Sequence, residues 1–264
     1  MKKILLALLL VTLSLAGCGG EKDSQGVDRD SSKKIVIGVD DDFPPICFHN
    51  EKNELVGFDV DLAREAANRL NVDIEFKPIA WKNKREAITS GNIDMIWNGL
   101  DITDERKEYM IFIKPYMDDR QILLVRKGSD LNIHSEGDLE GKSVGCQAGS
   151  TSDCYLMRDE NLKNALKDYK TYDTFTAVLD ALKSGEVDVL ICDEMVARYE
   201  MNKNPDELEL INVKIGTALE MSVGISKDKV KLRDDLQNVF DQMVKDGTAK
   251  KISEEWFQAD LIKY

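Results

Sequence analysis

The chain has two histidines and five prolines among 264 residues, and its lysines and arginines (36) are well short of its aspartates and glutamates (49). With a formal charge of -13, it has no general basic surface for gripping a phosphate backbone, which excludes nucleic acid as an expected partner. Of the five cysteines, Cys18, Cys47, Cys146, Cys154 and Cys192, no two form a CxxC pair. With only His49 and His134 as imidazoles, a zinc site is not expected and no cofactor is implied. Spacing alone assigns no disulfide. There is no GxSxG elbow and no HExxH, so neither a serine-hydrolase nor a zinc-protease motif is present. No segment after the first few residues approaches the roughly 20 apolar residues of a spanning helix.

The N-terminal end carries an address. Lys2 and Lys3 precede an apolar run from Ile4 to Leu13, and "LAGC" follows at Leu15 to Cys18. This is a secretory signal with small residues before a cysteine. It resembles the cleavage box of bacterial lipoproteins, which implies a signal peptide over 1–17, cleavage before Cys18 and a lipid on the Cys18 sulfur. Losing Lys2 and Lys3 takes the formal charge from -13 to -15. Residues 18–33 hold a single apolar side chain beyond Cys18, Val27, and read as a flexible tether to the extracytoplasmic face of the membrane.

From Ile35 onward, apolar β-rich runs alternate with helical spacing. Strands are predicted at Ile35 to Val39, Val72 to Phe76 and Ile93 to Trp97, and helices at Phe58 to Leu70 and Arg85 to Ser90. A long amphipathic helix is predicted over Val230 to Val244, with Val230, Leu232, Leu236, Val239, Phe240 and Met243 on its apolar side. The alternation argues for an α/β fold with mostly parallel strands. "AITSGNIDMIWN", from Ala87, is echoed by "ALKSGEVDVLIC", from Ala181; helix–Gly–strand units are common, and two lobes of similar build would produce such an echo.

In open α/β sheets ligands bind beyond the carboxyl ends of strands. Those exits read "DDDFPP" after Val39, "NGLDITDER" after Trp97, "QAGSTSD" after Cys146 and "CDE" after Ile191. The set suits a zwitterion. Arg106 offers a bidentate grip for a carboxylate, three residues after Thr103, a suitable helix cap, and amides around Thr151 offer a second grip. Asp101, Asp193 and the Gly99 carbonyl are acceptors for an ammonium, and Phe43 and Trp81 are aromatic walls suited to a cation. Each has a plainer role too. Arg106 suits a surface pair with Asp104 or Glu105, Asp193 suits a helix cap, and Phe43 and Trp81 suit core packing.

"GVDDDFPP", "LVGFDVDLA", "GLDITDERK", "VGCQAGSTSD", "VDVLICD" and "DGTAKKISEEWF", in this order, resemble the extracellular solute-binding proteins (family 3) of polar amino-acid ABC transporters. The resemblance implies a two-lobed periplasmic-binding-protein-like fold with a hinge and a central ligand cleft. It places lobe 1 at residues 34–115 and 222–264, lobe 2 at 121–216, and hinge strands near 116–120 and 217–221. It implies that Arg106 and the Thr151 amide hold an α-carboxylate, that Gly99, Asp101 and Asp193 receive the α-ammonium, and that Asp40, Phe43, Trp81, Gln147 and Cys192 line the side-chain pocket, with Leu100 also among the ligand-binding residues. It implies capture of an amino acid by a monomer and delivery to a membrane-embedded ABC permease, with no catalysis. Asp101 stands where the family usually has threonine or serine. With Asp40 and Asp193 it makes an anionic cleft, which disfavours an acidic ligand and favours a basic or glutamine-like one. The alternatives are a ligand-sensing module for a membrane signalling partner and, further off, a lyase-like enzyme on the same fold.

If Cys18 carries the lipid, Cys18→Ser is expected to move the protein from the membrane fraction to the soluble fraction. Membrane retention of the Cys18→Ser protein would contradict the anchor.

Overall fold

A computed structural model describes residues 34–264; the signal peptide, the tether and Cys18 lie outside the described residues. The chain builds two five-stranded mixed sheets of the same design. The first comprises β1 (Lys34–Val39), β5 (Asp73–Pro78), β6 (Met95–Ile96), β7 (Met110–Phe112) and β13 (Gly224–Ser226), in the order β5-β1-β6-β13-β7. The second comprises β8 (Met117–Arg126), β9 (Ser143–Gln147), β10 (Asp168–Tyr172), β11 (Val189–Asp193) and β12 (Leu208–Met221), in the order β10-β9-β11-β8-β12. In each, the first three strands run parallel and the last two pairings are antiparallel. The sequence echo falls on β6 and β11, the third strand of each sheet. A small third sheet, β2 (Asp42–Phe43), β3 (Cys47–His49) and β4 (Leu55–Val56), follows β1.

Both faces of the main sheets are covered, so their strands carry apolar residues on both sides. In the first sheet, Ile37, Val39, Met95 and Trp97 join one core, and Ile93 and Ile96 join another. In the second, Ile122, Leu124, Leu190 and Cys192 face one way, and Leu123, Val125, Val189 and Ile191 the other. This is the period of two that a pleated strand imposes. Helices α1 (Phe58–Leu70), α8 (Val230–Lys245) and α9 (Thr248–Phe257) pack together on the first sheet, and α2 (Lys84–Thr89) packs against β1, β6 and β13. The short α3 (Asp104–Lys107) follows β6. Helices α4 (Thr151–Arg158), α5 (Glu160–Ala165), α6 (Phe175–Ser184) and α7 (Glu194–Lys203) belong with the second sheet.

The structure adjusts several of the sequence expectations. Paired β6 is only Met95–Ile96; just before it, the Asp94 N–H donates to the Val36 carbonyl, its carbonyl accepts the Ser226 N–H, and its carboxylate accepts the Val36 N–H at 2.6 Å. The strand expected to end at Phe76 runs on to Pro78, and the helix expected from Arg85 begins at Lys84. Val230 opens α8 but is solvent-exposed, while Leu236, Val239, Phe240 and Met243 are buried. The four described cysteines, Cys47, Cys146, Cys154 and Cys192, are free thiols.

The chain passes from the first sheet to the second at Met117 and returns at Met221, and these two residues pair. A buried carboxylate sits beside this crossing. Asp59, in the first turn of α1, accepts the Gly99 N–H at 2.6 Å and the Tyr116 hydroxyl at 2.9 Å. Asp59→Ala would strand both donors in the interior. It is expected to lower unfolding free energy by about 3 kcal/mol or more by urea titration. Asp59→Asn, whose amide oxygen still accepts, is expected to lose less.

Candidate functional site

The two sheets present the carboxyl ends of their parallel strands to one another, and between them lies a cavity of about 30 Å3. Asp40, Phe43, Trp81, Gly99, Arg106, Gln147, Thr151, Cys192 and Asp193 all line it, so the strand exits do converge. Two expected residues do not. Leu100 is fully buried and packs with Trp81, Ile88, Ile96 and Met110, while its carbonyl takes the Ser222 N–H. Asp101 lies just behind the wall, with its Oδ2 accepting the Thr151 hydroxyl at 2.6 Å.

Local structure aims each group. Thr103 caps α3 by accepting the Arg106 N–H, as its spacing suggests. Arg106 is only 2% exposed, and its Nη1 donates to the Asp101 carbonyl at 2.8 Å. It therefore avoids the surface pairing, since Glu105 meets Arg85 and Asp104 meets Lys107. Ser150 caps α4 by accepting the Asp153 N–H, which sets Thr151 in the first turn of that helix. Asp193 makes no cap bond to α7. Its Oδ1 instead accepts from Gln121 Nε2 at 2.5 Å, because Gln121 is its register partner on β8.

Contacts cross the cleft. Gln147 Nε2 donates to Asp40 Oδ2 at 2.5 Å, and the Thr176 hydroxyl donates to Asp42 at 2.5 Å. Lys82 meets Asp173 at 2.6 Å, and the Phe43 and Phe175 rings meet edge-on, with centroids 5.5 Å apart. Lys84 Nζ lies 5.0 Å from the Trp81 ring centroid and donates to the Gly149 carbonyl at 2.5 Å. Burial, then the nearby Arg106 charge, pulls its ammonium pKa down to about 7. Burial raises the Asp40 carboxyl against the pull of its Gln147 bond, and drives the Cys192 thiol far up, so that wall group stays a neutral thiol. At 30 Å3 the cavity holds two or three waters at about 10–15 Å3 each, so a ligand of amino-acid size enters only when the lobes part.

Sequence reading passed over Asn98, Gln121, Ser150, Ser152, Phe175, Leu190 and Ile191, which also line the cavity. Asn98, Ser150 and Ser152 flank residues already singled out, so adjacency was a usable signal. Gln121 comes from strand pairing, which spacing does not reveal.

Residues 35–259 match the family profile of bacterial extracellular solute-binding proteins, family 3. The chain belongs to this family. The chain is 30% identical to the L-cystine-binding protein TcyJ of Escherichia coli, over 87% of this chain and 84% of that one. A Streptococcus pneumoniae ABC uptake substrate-binding protein, solved with histidine, superposes with a TM-score of 0.82 at 32% identity, covering 88% of this chain and 96% of the other. An ancestral arginine-binding protein bound to arginine gives 0.79 at 36% identity, covering 85% and 98%. The fold is accordingly the two-lobed binding-protein fold with a hinge and a central cleft. No helix among the described residues is long and apolar enough to cross a membrane.

Gly149 faces the opposite lobe with φ +74, and a Cβ there would lie 2.7 Å from the Lys82 Cα. That neighbour is backbone and has little room to yield. Gly149→Ala is expected to hold the cleft open, giving a larger radius of gyration than wild type by small-angle scattering with the fold retained.

Proposed function

We propose that this protein captures a polar amino acid, basic or glutamine-like, and delivers it to a membrane-embedded ABC permease without transforming it. It would act as a monomer tethered outside the cytoplasm through Cys18. The observation that carries the reading is Arg106, a buried guanidinium on the cavity wall that bonds to the Asp101 carbonyl and forms no ion pair with a carboxylate among the described residues. Such a group is suited to a bidentate bond with an incoming α-carboxylate. The first-turn amides of α4 at Thr151 add a second grip. Asp193 and the Gly99 carbonyl take the α-ammonium, with Asp101 behind them. Asp40, Phe43, Trp81, Gln147 and Cys192 surround the side chain. The histidine, arginine and cystine in the relatives' names fit a cleft of this polarity.

Closure follows from the division of these groups. Residues 34–115 and 222–264 form one lobe and 121–216 the other, with 116–120 and 217–221 as hinge. A ligand that touches Arg106 from one side and Asp193 from the other makes more contacts when the lobes meet, so it shifts the population toward closure.

A thermal-shift screen across the amino acids is expected to pick out one or a few polar ligands, recovered unchanged after incubation. Arg106→Ala should weaken each by at least about 2 kcal/mol in calorimetry, the cost of losing a charged partner. Wild-type affinity in Arg106→Ala would overturn the head-group assignment, and conversion of the ligand would overturn the binding-only reading.

A further inference from the structure

Behind the cavity, Asp101, Asp119 and Asp193 each place a carboxylate oxygen within 4.8 Å of the others. They are 1%, 4% and 9% exposed. They reach this point from different parts of the chain: the loop between β6 and α3, the start of β8, and the end of β11. Asp119 has no counterpart in the sequence reading, because only the pairing of β8 with β11 brings it here.

Neutral groups surround them. Gln121 Nε2 donates to Asp119 at 2.8 Å and to Asp193 at 2.5 Å, and its own Oε1 takes the Ser152 hydroxyl. Thr151 donates to Asp101. The nearest cation, Arg106 on α3, donates to the Asp101 carbonyl rather than to any of the three carboxylates. Lys84 on α2 is engaged by the Trp81 and Gly149 carbonyls. Arg120, beside Asp119, pairs with Glu194 at the start of α7, and Glu194 also meets Arg198. Cys192 stays a neutral thiol, and the Tyr116 hydroxyl is committed to Asp59. No ion pair among the described residues joins any of the three acids. Two of their oxygens, Asp101 Oδ1 and Asp119 Oδ1, are buried and meet no donor.

Three carboxylates this close, sharing neutral partners and one offset guanidinium, cannot all be ionised at once. A carboxyl proton is the donor that the two orphaned oxygens lack. We propose that Asp119 is the third carboxylate of the ammonium pocket, and that an incoming ammonium displaces protons held by Asp101, Asp119 and Asp193, so that ligand binding releases protons to solvent. This rests on the amino-acid-binding reading of the cavity. The balance is simple: the ligand arrives as its ammonium and keeps its N–H bonds, each carboxyl that ionises gives one proton to bulk buffer, and no covalent bond forms. Burial lifts all three carboxyls above their ordinary range, with Asp193 at about 7; repulsion from the neighbouring acids adds to this at Asp119 and Asp193, while the Arg106 charge opposes it at Asp101. The ammonium favours the ionised forms, so affinity rises with pH while the free acids still hold protons.

The test is calorimetry with L-arginine at pH 6, with EDTA present, in buffers of different ionisation enthalpy. Wild type should show a buffer-dependent enthalpy equivalent to about one proton released, with affinity rising up to about tenfold per pH unit for each proton lost between pH 5 and 7. Asp119→Asn and Asp119→Ser should both reduce the proton count and flatten the slope. Measurable binding with a buffer-independent enthalpy, or an unchanged slope in both variants, overturns the inference while leaving the functional reading intact. A difference titration of ligand-free wild type against Asp119→Asn needs no ligand. A proton on the cluster above pH 5 that the variant lacks supports the inference, and full ionisation of the cluster by pH 5 overturns it even if L-arginine fails to bind.

Discussion

The Asp59 carboxylate is the contact on which the rest of the site depends. It occupies the first turn of α1, where the helix dipole favours a negative charge, and it holds the Gly99 amide and the Tyr116 hydroxyl together. Gly99 has φ +55, so the chain can leave β6 sharply and put Asp101 and Arg106 beside the cavity. Tyr116 immediately precedes the crossing to the second sheet, and its ring packs among Phe58, Trp97 and Phe240. One buried side chain thus fixes the strand exit relative to the crossing point. Full burial raises its pKa to about 7 against the pull of those hydrogen bonds.

Much of this architecture was legible in the chain. The apolar β-rich run at Ile35 to Val39 marked β1, and the Ser-Gly echo marked β6 and β11, which prove to hold the same place in two sheets of like order. Thr103 caps α3, as read, because its hydroxyl accepts a backbone N–H group that would otherwise lack a partner. The strand exits then had to converge, since two sheets of one design that face each other present like ends.

The illegible part depends on partners distant in sequence. Gln121 faces Asp193 only because β8 runs antiparallel to β11, a pairing no local signal announces. The same register turned Asp193 from a helix cap into an acceptor of the Gln121 amide. Leu100, between Gly99 and Asp101, was expected among the ligand-binding residues. Yet its carbonyl receives the Ser222 N–H, and its side chain turns into the core beneath Trp81.

The closed cleft also bears on how a binding protein of this kind would select its ligand. Its two lobes already hold each other through groups a ligand would use, notably Asp40 with Gln147 and Asp101 with Thr151. Binding therefore yields only the difference between the ligand's contacts and the ones it displaces. A neutral amide placed against Asp40 would replace the Gln147 amide like for like. A cationic side chain would replace it with a charge-assisted bond roughly twice as strong, on a carboxyl whose ionised form is otherwise disfavoured by burial. An anionic side chain would lose the existing bond and face the carboxylate unpaired. In this arrangement a preference for a basic ligand would need no extra pocket; it would arise because the protein's own amide sets the level that a ligand must exceed.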